Sequence, residues 1–182
     1  MGYMHDAFDN YDSILCLGSH QFNEIKTLEQ HYGLKQKAII ECGYGHLENI
    51  LDAFEQESKK LKRKKEGVHV VIAPTYGQNS LLEIENGELC LDLLDILAKA
   101  NIEVSLRPHW MTINNNPSLI SKIIERQKNC RTFKIENDLS SINSLISSDI
   151  LISDLSGVAL EYAFGFLKPV IYIDIPMRAR NA

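Results

Sequence analysis

The chain has 182 residues, of which 45% are hydrophobic, and its formal net charge at pH 7 is −5. This length and apolar content suffice for a sizeable core, whereas the acidic balance argues against a nucleic-acid-binding protein, which would usually be basic. No run of apolar residues approaches the length of a transmembrane helix, and the N-terminus carries no apolar signal core.

The first third of the chain predicts two strand–helix pairs. Apolar, branched runs at 11–18 and 37–42 indicate strands, and helical spacing follows each of them, at 19–32 and 47–65. Two such pairs are too few for an independent core. We therefore expect residues 1–60 to be the remnant of, or the crossover from, an N-terminal domain, and residues 66–182 to form a second domain.

The second predicted helix ends in a basic run from Lys59 to Lys65. One interpretation is contact with an anionic membrane surface or polymer. The other is a solvated helix end, which we favour because cations near a helix C-terminus complement the helix dipole.

The rest of the chain alternates strongly between strand and helix patterns. This alternation predicts an α/β domain with a parallel sheet covered by helices on both faces. The predicted strands lie at 68–73, 102–106, 132–135, 150–152 and 170–173, and the predicted helices lie at 89–100, 117–128, 139–147 and 157–168.

The four cysteines are widely scattered, and none forms a Cys-x-x-Cys pair, so neither a zinc site nor a redox site is expected. We interpret them as reduced core residues of a cytoplasmic protein. They are Cys16, Cys42, Cys90 and Cys130.

A polar turn separates the strand at 150–152 from the helix that follows. Ser153, Asp154, Ser156 and Gly157 make up most of it. The amides that open a helix lack intrahelical partners and attract anions, typically phosphate, and glycine lets a ligand approach the backbone closely. Glu161, one turn later, would reach ribose hydroxyls from the same helix end. Alternatively, Asp154 and Ser156 only cap the helix, and Glu161 is a solvated residue.

Two other polar loops follow predicted strands. Thr75 and Tyr76 follow the strand at 68–73, and Arg107 and His109 follow the strand at 102–106. Ligands of open α/β sheets bind at the carboxyl ends of the strands, and Arg and His side chains can donate to phosphate oxygens. His109 by itself could equally be a structural histidine. The sequence has neither G-x-G-x-x-G nor a P-loop, so no motif indicates a nicotinamide cofactor or ATP hydrolysis.

The segment from Ser153 to Pro169 resembles the donor-binding signature of the CDP-glycerol glycerophosphotransferases, enzymes of the teichoic-acid polymerase and primase type. Ala73-Pro-Thr-Tyr76 is similar to the Pro-Thr-aromatic loop of that family, and Leu106-Arg-Pro-His109 to its strand end of apolar-Lys/Arg-x-His type. The segment 37–51 looks like the crossover from the N-terminal domain. The resemblance extends from about Tyr11 onward and implies one half of a GT-B arrangement of two facing Rossmann-like domains.

The resemblance also implies roles for individual residues. Ser156 and Gly157 would bind the donor diphosphate through backbone amides and the Ser156 hydroxyl, and Glu161 would hold ribose or glycerol hydroxyls. His109 would be catalytic, binding or protonating the leaving phosphate. The further nucleotide- and phosphate-binding residues expected are Thr75, Tyr76, Arg107, Ser153 and Asp154.

The sequence departs from the family pattern in three places, two in this turn and one in the loop after Tyr76. Gly157 stands in place of a second serine, Leu155 in place of a tyrosine, and Gly77 and Gln78 where an arginine commonly follows the aromatic residue. These departures leave the identity of the donor open.

The function implied is transfer of glycerol phosphate from CDP-glycerol to a hydroxyl of a polymer or glycolipid acceptor, at the inner face of the membrane and without metal or cofactor. The family carries its catalytic base on the N-terminal domain, so we expect this chain to be a fragment that is inactive alone. Two alternatives stay open: a nucleotide-sugar glycosyltransferase or UDP-sugar 2-epimerase domain, and a non-catalytic α/β module that binds phosphate.

Overall fold

The computed structural model describes residues 3–59, 67–136, 138 and 142–175. The strands are β1 (Ser13–Cys16), β2 (Ala38–Glu41), β3 (His69–Ile72), β4 (Glu103–Leu106), β5 (Phe133–Ile135), β6 (Ile150–Ser153) and β7 (Val170–Tyr172). The helices are α1 (Ser19–Tyr32), α2 (Gly45–Ser58), α3 (Glu88–Lys99), α4 (Trp110–Asn115), α5 (Pro117–Gln127), α6 (Asn143–Ser147) and α7 (Gly157–Gly165). The chain divides inside α2, between Glu48 and Asn49, into a smaller and a larger unit.

The smaller unit is built on β1 and β2, which pair in parallel. Its buried side chains include Cys16 on β1 and Ile25 and Leu28 on α1. Leu15 and Ile40 lie directly opposite each other in the pair, yet they are 68% and 53% exposed. Parallel sheets are normally covered on both faces. The exposed side chains of this pair therefore form an apolar surface of the kind that other chain segments usually cover.

The larger unit is a five-stranded, entirely parallel sheet with the strand order β5-β4-β3-β6-β7. Its central strand, β3, is buried along its whole length. Successive side chains of a strand point to opposite faces, and the apolar run Val70 to Ala73 therefore supplies both layers of the core. The α/β fold with a parallel sheet, predicted from the alternating pattern, is confirmed.

Helices cover both faces of this sheet. Val70 and Ile72 of β3 belong to a core cluster with leucines of α3 and α5. Val71 and Ala73 belong to a second cluster, formed with residues of α2, α6 and α7. Alternate side chains of β3 thus pack against the helices of opposite faces. The loops follow at the ends of the strands.

Several sequence-based expectations need correction. Cys42 is exposed and Cys130 is only partly buried, so the prediction of four core cysteines holds for Cys16 and Cys90 alone. The structure also forms α4 and a 3-10 helix, Ile84–Gly87, where no helix was predicted. Of the basic run, Lys59 pairs with Glu55 at 3.0 Å, and its other residues lie outside the described part of the chain.

Within the described residues, no helix is both long enough and apolar enough to cross a bilayer. The same residues contain no group of three or more His, Cys, Asp or Glu side chains arranged to hold a metal ion.

Lys168, which precedes Pro169 before β7, caps the C-terminal end of α6. Its Nζ donates to the carbonyl oxygens of Ile146 and Ser148, the latter at 2.6 Å. The ammonium also lies 5.8 Å from the ring centroid of Phe54 and 5.9 Å from that of Tyr162. A cation in this position satisfies carbonyls that a helix C-terminus leaves without partners, so Lys168 stabilises the layer that contains α7.

We predict that Lys168→Met destabilises the chain, because the apolar side chain keeps the packing and removes the charged donor. Hydrogen bonds to a charged group contribute about 1.5–3 kcal/mol, and chemical denaturation should show a loss in that range. Lys99→Met, at the exposed end of α3, is the matched control and should change the free energy of unfolding by less than about 0.5 kcal/mol. Equal effects of the two substitutions would contradict the capping role.

Candidate functional site

Three polar loops meet at the carboxyl edge of the larger sheet. They follow β3, β4 and β6, and β3 lies between the other two strands. Ile72, near the end of β3, is in register with Leu106 of β4 and with Ile152 of β6. The loops after these strands therefore start side by side at the same edge, which is where ligands of open α/β sheets bind.

Ser153 and Asp154 tie the loop after β6 to the loop after β3. The Asp154 carboxylate accepts the Thr75 N–H at 2.6 Å through Oδ1 and the Leu81 N–H at 2.8 Å through Oδ2. The Ser153 hydroxyl donates to the Ala73 carbonyl at 2.6 Å. Both side chains are fully buried. The expectation that they contact a ligand is therefore corrected: their polar atoms face the protein, and they position the two loops.

The start of α7 is open to approach. Ser156 is the N-cap residue in extended conformation, and its hydroxyl makes no capping bond to the helix. Its N–H donates to the Asp154 carbonyl at 2.8 Å. The next two amides, those of Gly157 and Val158, are the first amides of the helix and have no intrahelical acceptors. Gly157 is exposed, and a Cβ built on it meets no atom within 4 Å. Two amide donors and a hydroxyl are thus available to an anion.

Tyr76 and His109 stack on each other, with ring centroids 4.6 Å apart and planes inclined by 29°. His109 is the N-cap residue of α4, and its Nδ1 accepts the Met111 N–H at 3.1 Å. An accepting Nδ1 carries no proton, so the neutral ring has its N–H at Nε2. Burial lowers the pKa of His109 below its ordinary value of 6.5. The ring is therefore a neutral donor at physiological pH.

Trp110, which sequence reasoning missed, follows His109 directly. Its ring lies 5.9 Å from that of His109, inclined by 30°, and the side chain is 56% exposed. The signal in the sequence was its position next to a candidate site histidine. Because it is the only tryptophan of the chain, its fluorescence reports on this corner of the site.

The two charged residues left to place are Arg107, after β4, and Glu161, on α7. Arg107 pairs with Glu136 at 2.8 Å, and both side chains are largely buried. Its charge is therefore partly compensated inside the protein, and its role as a phosphate ligand stays a prediction. Glu161 lies half-buried on α7, one turn after Gly157, as the sequence pattern predicted.

The arrangement joins most of the predicted site. Asp154 contacts the Thr75 amide, Tyr76 stacks on His109, and α7 begins three residues after Asp154. The groups offered to a ligand are neutral donors: backbone amides, a hydroxyl and an imidazole N–H. Such groups suit a phosphate or pyrophosphate.

A family model described as CDP-Glycerol:Poly(glycerophosphate) glycerophosphotransferase matches residues 4–175. A comparison with curated proteins found no match.

Solved structures of the wall teichoic acid polymerase TagF are similar in fold. One is 18% identical over 89% of this chain and 38% of the TagF chain, with a TM-score of 0.51. A histidine-to-asparagine variant is 17% identical over 92% of this chain and 40% of that chain, with a TM-score of 0.55. A TagF variant soaked with CDPG is 18% identical over 89% and 37%, with a TM-score of 0.51. The chain thus spans about two fifths of the length of these structures.

Asp154→Ala should destabilise the larger unit, because it leaves the partly buried Thr75 amide and the buried Leu81 amide without acceptors. Each unsatisfied buried donor costs about 1–3 kcal/mol, so we expect a loss of roughly 3 kcal/mol in the free energy of unfolding, measured by urea denaturation. Asp154→Asn keeps one accepting oxygen and should lose clearly less. A loss below about 0.5 kcal/mol for the alanine variant would contradict the positioning role.

An NMR titration should place the pKa of His109 below 6.5, the ordinary value that the urea-unfolded chain provides as reference. Because the folded state disfavours the protonated ring, the stability that this histidine contributes is present above that value and is lost as the pH falls through it. Tyr76→Ala uncovers the ring and should raise the pKa of His109. A value above 6.5 in the folded chain would contradict the assignment of a buried, neutral imidazole.

Proposed function

Because the chain belongs to the CDP-glycerol:poly(glycerophosphate) glycerophosphotransferase family, we propose that its larger unit binds the CDP-glycerol donor of a glycerophosphate transfer. The observation that carries the proposal is the open start of α7, at the same sheet edge as the stacked pair of Tyr76 and His109. One of the TagF structures with a similar fold is that of a variant soaked with CDPG. The same donor is therefore the first to test here.

The donor diphosphate binds the amides of Gly157 and Val158 and the hydroxyl of Ser156. The partial positive charge of the helix N-terminus favours this contact. Glu161 accepts hydrogen bonds from ribose or glycerol hydroxyls one turn further along α7. Thr75 and Tyr76 line the nucleotide side of the site, where the aromatic ring offers a stacking surface.

In the proposed reaction an acceptor hydroxyl attacks the β-phosphorus of CDP-glycerol. A new P–O bond forms, the bond to the bridging oxygen breaks, and CMP leaves with the bridging oxygen. His109 donates its Nε2–H to the leaving phosphate, where negative charge accumulates in the transition state. The proton of the acceptor hydroxyl passes to a base, which the family resemblance assigns to the N-terminal domain.

We also propose that residues 1–60 belong to an N-terminal Rossmann-like domain and residues 66–182 to the nucleotide-binding domain. The parallel β1–β2 pair with its exposed Leu15 and Ile40 supports the first assignment, because such pairs are normally parts of larger, covered sheets. The polymer or glycolipid acceptor, and contact of the basic run with the inner face of the membrane, stay predictions.

The test is calorimetric titration of the chain with CDP-glycerol, CMP and a UDP-sugar, with Trp110 fluorescence as a second signal. We expect binding of CDP-glycerol and CMP, and weaker binding of the UDP-sugar. A preference for the UDP-sugar would instead support a nucleotide-sugar transferase or epimerase. If no nucleotide gives heat or a fluorescence change up to millimolar concentration, the proposed donor site is wrong.

Gly157→Val separates ligand contact from folding. A Cβ at position 157 meets no protein atom within 4 Å. We therefore expect the melting temperature of the variant to stay near that of the wild type. The valine occupies the path of the diphosphate, so the affinity for CDP-glycerol should fall at least about tenfold, the equivalent of one lost charge-assisted hydrogen bond. Gly157→Ala should give a smaller loss. Unchanged affinity in the valine variant would exclude diphosphate binding at this turn.

A further inference from the structure

Glu83 joins two segments that carry the stacked rings of the site. Its Oε1 accepts the Gly77 N–H at 2.8 Å and the Thr112 Oγ–H at 2.7 Å. Gly77 directly follows Tyr76 in the chain. Thr112 lies on α4 three residues after His109, and its own N–H donates to the His109 carbonyl at 2.9 Å. One carboxylate oxygen therefore bridges the loop of Tyr76 and the helix that His109 begins.

The turn that carries Glu83 is itself firmly held. The Ser80 N–H donates to the Gly77 carbonyl at 2.7 Å, and the Glu83 N–H donates to the Ser80 carbonyl at 3.1 Å. Ser80 and Thr112 are buried, with about 1% of their surface exposed. Gly77 has a φ of 98°, in the region that favours glycine. The carboxylate thus starts from a fixed backbone and reaches a fixed helix, and its bonds restrict where Tyr76 can lie.

We propose that Glu83 is a positioning residue that sets the stacking of Tyr76 on His109 and thereby the direction of the Nε2–H of His109. This inference rests on the proposed function, because a fixed donor direction matters only if His109 meets a donor phosphate. The role needs an oxygen that accepts two hydrogen bonds at once, which a carboxylate or an amide oxygen provides. Glutamine should therefore replace Glu83, and alanine should not.

The experiment compares Glu83→Ala, Glu83→Gln and Thr112→Val with the wild type by NMR of the His109 ring protons. A stacked Tyr76 displaces their chemical shifts through its ring current, and Tyr76→Ala supplies the reference for complete loss of stacking. We expect Glu83→Ala to move the shifts toward that reference, Glu83→Gln to keep them, and Thr112→Val, which removes only the bond to α4, to move them part of the way. If Glu83→Ala does not fold, wild-type ring shifts in Thr112→Val alone overturn the positioning role, with Glu83→Gln as the control that should keep them.

Binding of CDP-glycerol is measured on the same variants. Loss of the bridge in Glu83→Ala should lower the affinity for CDP-glycerol about tenfold, the equivalent of one hydrogen bond to a charged group. The affinity of Glu83→Gln should stay close to that of the wild type. Wild-type ring shifts in both Glu83→Ala and Thr112→Val would overturn the positioning role. If the wild-type chain binds no CDP-glycerol, the proposed function fails, but the ring shifts still test the position of Tyr76.

Discussion

The candidate site depends on one buried carboxylate. Asp154 accepts two backbone N–H groups, from Thr75 and Leu81, that lie more than 70 residues earlier in the chain. A buried charge is costly unless hydrogen bonds compensate it, and two short bonds to amides provide that compensation here. The same bonds fix the loop after β3 against the turn that opens α7. The place of this loop relative to the start of α7 therefore depends on a residue whose side chain is fully buried.

Arg107 is the one cationic side chain among the residues predicted to bind phosphate, and it is paired with a carboxylate. The charge of Arg107 is partly compensated by Glu136, and His109 is held neutral by burial and by the Met111 amide that donates to its Nδ1. What is left is the helix N-terminus and neutral donors, whose field is strong only within about one helical turn. Such a site suits a small phosphorylated ligand in a chain of net charge −5, and it gives little long-range attraction for polyanions.

The sequence allowed the sheet and the meeting of the three loops to be predicted, because both follow from local patterns. Val70 to Ala73 is apolar at every position, as a strand buried on both faces requires, and parallel topology brings the ends of β3, β4 and β6 to one edge. The role of Asp154 could not be predicted, since a polar residue after a strand fits a ligand, a cap or a distant partner equally well. The pairing of Arg107 with Glu136 likewise depends on β5 lying beside β4. Helix α4 escaped prediction because its six residues carry too little apolar periodicity.

Helix α7 is also held on its buried side, away from its exposed N-terminus. Tyr162, fully buried on its inner side, shares a 2.9 Å hydrogen bond with the Ser148 hydroxyl, and burial raises the pKa of Tyr162 to about 12. Lys168 binds the carbonyls of the same segment. The amides of Gly157 and Val158 therefore point in a direction that the core sets before any ligand arrives. Donors that need no reorganisation stabilise developing charge most effectively. The buried polar contacts behind α7 would therefore contribute to the chemistry proposed for its exposed end.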